Sequence, residues 1–328
     1  MGLESVNVAI YFGTFLLSLL LCYFYLNSPS LGISDVANER SMHQGITKKS
    51  GGIWIYISSS ISILIFSSIT GSDFPLHWWS GLSFFFFLGL LDDLKGLSPY
   101  VRFGAEFIFL FAWVSWNPIP IVLFGLDLGN FPGGLGETLL ISLYLLFFIN
   151  LCNFMDGLDT YLVGSLVAIA ISFSICYKAI LPNYYMLLFS AVFGFLAWNL
   201  PKAKLFLGDS GSLPLGFAMG TLPFLHLQAQ TKIELSSVFF LAPVFFTDGI
   251  FTILTRIFKK ENIFLAHRDH LYQKFAVKTT SKGWVSFLFV LANFPSLLVW
   301  HLLPSPISFF VGVGIYSGLY FFLKYRIY

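Results

Sequence analysis

The 328-residue chain is short of charge: 18 Lys and Arg and 16 Asp and Glu make up only 10% of it. Ordinary soluble domains carry roughly 25% charged residues. A mean hydropathy of +0.80, with forty phenylalanines, excludes a soluble fold, which has nowhere to hide so much apolar surface. Lipid accepts that surface without cost, so the chain is read as a bilayer protein. Cysteine is scarce too. Cys22, Cys152 and Cys176 sit in apolar runs without disulfide or metal-ligand spacing and read as core fillers. Strongly basic tracts are missing, which removes nucleic acid from the expected partners. The first apolar run, 6–26, has neither a basic leader nor a small-residue cleavage site and is expected to be a retained helix.

What is present is a series of long apolar runs. Stretches of about 17 to 25 residues are centred near Leu16, Ile61, Phe85, Phe109, Leu145, Ile169, Phe189, Met219, Phe245, Leu291 and Phe310. The fold expected is therefore all-α and polytopic, with about eleven transmembrane helices in a single domain over 1–328, because an open sheet would leave backbone groups unpaired in lipid. Threading the spans alternately puts sixteen of the eighteen Lys and Arg on one side and only Lys178 and Lys232 on the other. By the positive-inside rule the basic side is cytoplasmic, the N-terminus outside and the C-terminus cytoplasmic.

Five polar constellations interrupt the apolar background, and the threading puts all the motif-bearing loops on the cytoplasmic side. Asp92 and Asp93, followed by Gly96-Leu97, are adjacent carboxylates that repel unless a cation or water shares them. A solvated helix end explains the pair equally well. Asn150, Asn153, Asp156 and Asp159 recur every third residue, so a helix would gather them on one stripe that must meet water, a metal or a polar ligand. In Phe206-Leu207-Gly208-Asp209-Ser210-Gly211-Ser212, small residues around one carboxylate let backbone N–H groups approach an anion, or form a plain turn and cap. His267-Arg268-Asp269-His270 offers a guanidinium fork and two imidazoles to phosphate, or a basic loop to anionic lipid. The charged loop from Asp35 to His43 leads to Lys48-Lys49-Ser50-Gly51-Gly52. Asp248, alone within an apolar run, costs roughly 2.5 to 3.5 kcal/mol at a membrane centre and is expected to face the bundle interior.

The order of these motifs resembles one family, the polyprenyl-phosphate N-acetylhexosamine-1-phosphate transferases of the bacterial MraY and WecA group. Asp92-Asp93 with Gly96-Leu97 resembles its DDxxGL motif, 150–159 its NxxNxxDGxD motif, 206–212 its FxGDxGS motif and 267–270 its basic histidine loop. The HRDHLYQ form is closer to the branch that initiates O-antigen and related surface glycans than to the peptidoglycan branch. Two departures stand out. Thr160 occupies a position where the family usually has Gly, and Lys48-Lys49-Ser50 replaces its Pro- and Arg-rich residues before the double glycine.

The resemblance implies a Mg²⁺-dependent enzyme of the bacterial inner membrane, with Mn²⁺ as a substitute, that moves a sugar-1-phosphate from a UDP-sugar to undecaprenyl phosphate and releases UMP. Asp92, Asp93, Asp156, Asp159 and Asp209 are the expected catalytic set, with Asp93, Asp209 and Asp156 at the metal. Lys49, Asn150, Asn153, Phe206, His267, Arg268 and His270 are the expected substrate-binding residues, with Phe206 stacked on uracil. Membrane lipids are expected partners and a homodimer is left open. The competing class is a transporter of a polar or anionic solute, with Glu106, Asp248 and His226 as its intramembrane groups.

The charge asymmetry makes the topology testable. In a cysteine-free background, single cysteines at Ser98 and Ser281 should react with an impermeant thiol reagent from the cytoplasm and one at Ser305 from outside. Labelling of Ser98 and Ser281 from opposite sides would rule out a shared cytoplasmic site.

Overall fold

A computed structural model describes residues 3–30, 32–36, 46–116, 120–124, 126–127, 134–177, 180–228, 233–263, 267–279 and 281–327. Residues 37–43 of the charged loop, and Lys178 and Lys232, lie outside them. Long apolar runs closed by Gly, Pro and Asn give thirteen α-helices among the described residues. These are α1 (Leu3–Asn27), α2 (Gly52–Thr70), α3 (Leu76–Lys95), α4 (Pro99–Trp116), α5 (Leu135–Phe154), α6 (Tyr161–Tyr177) and α7 (Asn183–Asn199). They continue with α8 (Asp209–Gly220), α9 (Pro243–Phe258), α10 (Leu271–Lys278), α11 (Lys282–Leu291), α12 (Pro295–Leu302) and α13 (Ile307–Ile327).

Each of the eleven expected centres falls inside a helix. Length is another matter. Among the described residues five helices are long and apolar enough to cross a bilayer, or six when Leu235–Leu241 and Pro243–Phe258, bent by 99°, are taken as one span. α6 and α7 have 17 residues each and α8 only 12. At 1.5 Å per residue α8 is about 18 Å long, well short of a hydrocarbon core of about 30 Å.

The short helix α8 is nevertheless the centre of the molecule. Every residue from Ser210 to Gly220 is buried, with α2, α3, α5 and α6 packed around it. Glycines on the neighbours make this approach close. A Cβ on Gly89 of α3 would stand 2.1 Å from the Asp209 carbonyl oxygen, and one on Gly52 of α2 would stand 2.2 Å from Gly211 Cα. Around this layer α1 packs on α7, and α13 on α9 and α12. Cys22 and Cys152 are buried and free, as core fillers should be.

Two small sheets connect the helices. β1 (Ile33–Val36) and β2 (Ile46–Lys49) form an antiparallel hairpin, and Lys48 bridges in parallel to Leu205. At the far end β3 (Ile121–Leu123) pairs antiparallel with β4 (Leu126–Asp127) and parallel with β5 (Ile233–Glu234).

The departure at Thr160 has a structural answer. Thr160 has φ +66°, a left-handed conformation that suits glycine. Here a side chain is tolerated because Asn199 grips both ends of the residue: Thr160 N–H donates to Asn199 Oδ1 and Thr160 Oγ1 to the Asn199 carbonyl, each at 2.8 Å. Thr160→Val keeps the strain and loses the hydroxyl bond, so it should lower unfolding stability in detergent by about 1–3 kcal/mol. Thr160→Gly relieves the strain while losing the same bond and should stay within about 1 kcal/mol of the parent. Equal melting temperatures for Val and Thr would refute this account.

Candidate active site

The site begins where α3 meets the start of α8. Residues 48–52 pair with 206–207 through Phe206 N–H to the Lys48 carbonyl, Gly51 N–H to that of Phe206 and Gly52 N–H to that of Leu207, each 2.9 Å. Gly208, at φ +74°, then turns the chain so that Asp209 opens α8. Asp93, at the end of α3, accepts from Asp209 N–H (3.2 Å), Ser210 N–H (3.1 Å) and Ser50 Oγ (2.7 Å), with Lys49 Nζ at 3.4 Å. A carboxylate has about four lone-pair sites. Four donors therefore surround Asp93, which anchors the helix that carries Asp209. Its burial at 9% exposure fits that role, as does the preference of a helix N-terminus for negative charge.

Asp92, one residue earlier, points into different company. Its Oδ1 accepts from Leu97 N–H at 2.6 Å, and its Oδ2 from Arg102 Nη1 at 2.7 Å. The same Nη1 lies 3.0 Å from Asp209 Oδ2, while Nη2 reaches Asn150 Oδ1 and Asn153 Oδ1 at 3.5 Å. Behind the fork, Arg102 Nε is 3.7 Å from Glu106, one turn further along α4. Asn150 donates to the fully buried Glu106 and, at 2.9 Å, to the Leu146 carbonyl. Asn153 donates to Asp209 Oδ1 and Ser212 Oγ, both at 2.8 Å. One guanidinium thus ties α3, α4, α5 and α8 together.

In the sequence Arg102 stands only among the sixteen basic residues that set topology. The available signal was the i, i+4 pair Arg102–Glu106 directly after the double aspartate, a charge pair on an otherwise apolar helix.

The stripe from Asn150 to Asp159 is helical only in part. α5 stops at Phe154, so Asn150 and Asn153 face Arg102 from its last turns while Asp156 and Asp159 lie in the turns that follow. Burial, and then the charges of Asp209, Asp93 and Asp159, push the half-buried Asp156 carboxyl well above the usual carboxylate range. Asp159 faces away: its Oδ2 accepts from Lys202 and Ala203 N–H, each at 3.1 Å, and holds that loop in place.

The histidine segment comes up to the same turn from far along the chain. Tyr272 Oη donates to the Phe154 carbonyl at 3.0 Å, and a Cβ on Gly157 would stand 2.3 Å from Tyr272 Oη. The His270 ring is buried, 6.3 Å from Phe154 and 5.1 Å from His267. Burial, then His270 and Arg256, lower the His267 pKa to about 4, so this ring is neutral at pH 7 and its Nδ1 accepts from Asp269 N–H. His267 is therefore no fixed cation for phosphate. Arg268 is half-buried in the same segment, and Phe206 half-buried in the loop before α8. Lys49 stands at the edge of the cluster through Asp93.

Glu106 and Asp248, the carboxylates of the transporter reading, both join this assembly, Glu106 through Arg102 and Asn150 and Asp248 through the start of α10. The side chain of His226 lies outside the described set.

Fold and site together define a multi-pass helical membrane protein with a carboxylate-rich polar cluster at one end of its bundle. Comparison with known proteins agrees: the model of glycosyl transferase family 4 matches residues 75–226, which span the double aspartate, the Asn-Asp turn and the start of α8. The chain is 26% identical over 259 residues to a probable undecaprenyl-phosphate N-acetylglucosaminyl 1-phosphate transferase of Bacillus subtilis, covering 74% of this chain and 70% of the relative. It is 27% identical over 244 residues to an undecaprenyl-phosphate alpha-N-acetylglucosaminyl 1-phosphate transferase of Thermotoga maritima, covering 74% and 73%. A phospho-N-acetylmuramoyl-pentapeptide-transferase of Moorella thermoacetica is 29% identical over 214 residues, covering 58% and 63%. These matches bear out the resemblance read from the motif order: the chain is similar to polyprenyl-phosphate N-acetylglucosaminyl 1-phosphate transferases over most of its length.

The Arg102 fork can be tested without any assay of function. Arg102→Met leaves the buried Glu106 beside Asn150 without its counter-charge, and should lower unfolding stability by about 3–5 kcal/mol. Adding Glu106→Gln should recover part of that loss. An unchanged melting temperature in Arg102→Met would show that the fork carries no such weight.

Proposed function

We propose that this protein transfers an N-acetylhexosamine 1-phosphate from a UDP-sugar to undecaprenyl phosphate, releasing UMP, at the cytoplasmic face of a bacterial plasma membrane. The product would begin an O-antigen or related surface glycan. Eleven spans, N-terminus outside and C-terminus inside, suit this reading, since sixteen of eighteen cations then share the side that meets the nucleotide sugar. The observation that carries the proposal is the meeting of Asp92, Asp209, Asn153 and Arg102, drawn from four helices, with Asp156 in the turn after α5 and the His267–His270 segment packed on that turn.

In the reaction an oxygen of the lipid phosphate attacks the sugar-proximal phosphorus, the bond to the UMP oxygen breaks, and UMP leaves. One phosphoanhydride replaces another, so the protein's work is positioning and charge neutralisation. Arg102 and Lys49 supply fixed positive charge beside the carboxylates. Asn150 and Asn153 orient Asp209 and the fork. Phe206 is assigned to the uracil, and Arg268 with His270 to the donor's diphosphate or sugar, His267 entering as a neutral ring.

Mg²⁺ suits this donor set. Among the described residues no three acidic, cysteine or imidazole side chains form a ready-made cage, but Mg²⁺ ordinarily takes only one or two protein carboxylates beside phosphates and water. Asp209, a third exposed and aimed into the cluster, and Asp156, crowded by other carboxylates, are the residues that would hold it. The ion would neutralise charge on the transferring phosphoryl group.

The test is direct. Purified protein supplied with undecaprenyl phosphate and a panel of UDP-N-acetylhexosamines should release UMP and form a sugar-diphosphate lipid with one of them. Turnover should vanish in EDTA and return with Mg²⁺, and Asp209→Asn should lower it by at least about a hundredfold without loss of folding. Full activity in EDTA would sink the metal assignment, and no UMP from any donor would sink the transferase reading.

A further inference from the structure

α9 is an apolar helix with a buried polar stripe. Asp248, Thr252 and Arg256 recur every fourth residue, 1%, 1% and 7% exposed, and among the described residues their side-chain hydrogen bonds and ion pairs run to the stretch from Glu261 to Tyr272 or to each other. Asp248 Oδ1 accepts from Leu271 N–H at 2.8 Å and from Thr252 Oγ1 at 3.1 Å, and its Oδ2 accepts from Tyr272 N–H at 3.3 Å. These backbone groups are the first of α10, so a side chain on one helix caps the N-terminus of another. His270 makes no side-chain cap of its own for that helix, and its buried Nδ1, which has no hydrogen bond among the described residues, stands 3.5 Å from Asp248 Oδ1. Two turns on, Arg256 donates to Asp269 and, at 2.7 Å, to the Asn262 carbonyl, and pairs with Glu261 at 3.0 Å. The stripe therefore grips the histidine segment at both ends.

We propose that Asp248 is a positioning residue for the donor-binding segment: it fixes the start of α10 and holds the proton of His270 on Nδ1, leaving Nε2 as the ring atom that meets substrate. The proposal rests on the assignment of His270 to the donor site made above. A buried carboxylate oxygen 3.5 Å from Nδ1 favours a proton on that nitrogen by charge, without a hydrogen bond between them, and so biases the tautomer and orientation of the ring. The ring so held lies against Phe154, two residues before Asp156, and Tyr272 locks the same turn through its hydroxyl. One carboxylate on α9 thus controls how closely the histidine segment meets the turn carrying Asp156. This also accounts for the presence of a charge on this helix at all, since an apolar residue would leave the first N–H groups of α10 unpaired.

Two measurements test it. In protein labelled with ¹⁵N-histidine, the ring resonances assigned by comparison with His270→Ala should report the Nδ1–H tautomer in the parent and shift in Asp248→Asn. This readout is independent of turnover: an unmoved resonance overturns the proposal, whereas a parent protein that transfers no sugar-phosphate overturns only the transferase reading. The second measurement is a double-mutant cycle on kcat/KM. Asp248→Asn should lower it about tenfold or more in the parent but less than about threefold in the His270→Ala background, because the lost interaction is already absent there. Equal factors in both backgrounds, or parental efficiency in His270→Ala, would overturn the route through this ring. Should Asp248→Asn fail to fold, Thr252→Val removes one donor from the same carboxylate, and a loss of about threefold that likewise disappears in His270→Ala is the expected result.

Discussion

The carboxylate of Asp93 at the N-terminus of α8 is the interaction on which the remaining geometry depends. A helix that starts in the middle of a bundle presents unpaired N–H groups where water is scarce, and each costs free energy comparable to a lost hydrogen bond. Asp93 takes the first two of them, and Ser50 and Lys49 complete its shell. With α8 seated in this way, Asp209 must emerge at the mouth of the bundle. The glycines of α2 and α3 that face it are the steric counterpart of the same requirement.

Around that anchor the second problem is charge. Asp92, Asp209 and Glu106 approach one another closely, and Arg102 is the cation that makes this tolerable, with the amides of Asn150 and Asn153 filling the gaps. Asp156, which has no such partner among the described residues, shows the cost in its raised affinity for a proton. A cluster built in this way has a standing preference for cations and for ligands that bring them, which is the electrostatic setting a UDP-sugar and Mg²⁺ would meet.

Much of the site was legible from local residue chemistry. Carboxylates and amides are expensive on apolar helices, so Asp92, Asn150, Asn153, Asp156 and Asp209 stood out against their surroundings. Roles were harder to read than membership. Asp93 and Asp92 look alike in sequence, yet one is spent on backbone N–H groups and the other on a guanidinium. Asp159 is aligned with Asp156 by spacing, but the helix ends at Phe154 and turns it towards Lys202 and Ala203. Arg102 was hidden because a basic residue near a membrane surface already had an explanation.

From the sequence alone came the helical class, the positions of the hydrophobic runs and the motif order, because hydropathy and spacing are written locally. Only the tertiary structure decided that α8 is a short central helix, that Thr160 can stand in for glycine by leaning on Asn199, and that Asp248 serves α10 across more than twenty residues of chain. Each of these depends on which donor meets which acceptor after the helices have packed, and such pairings between distant residues leave no periodic trace in the sequence.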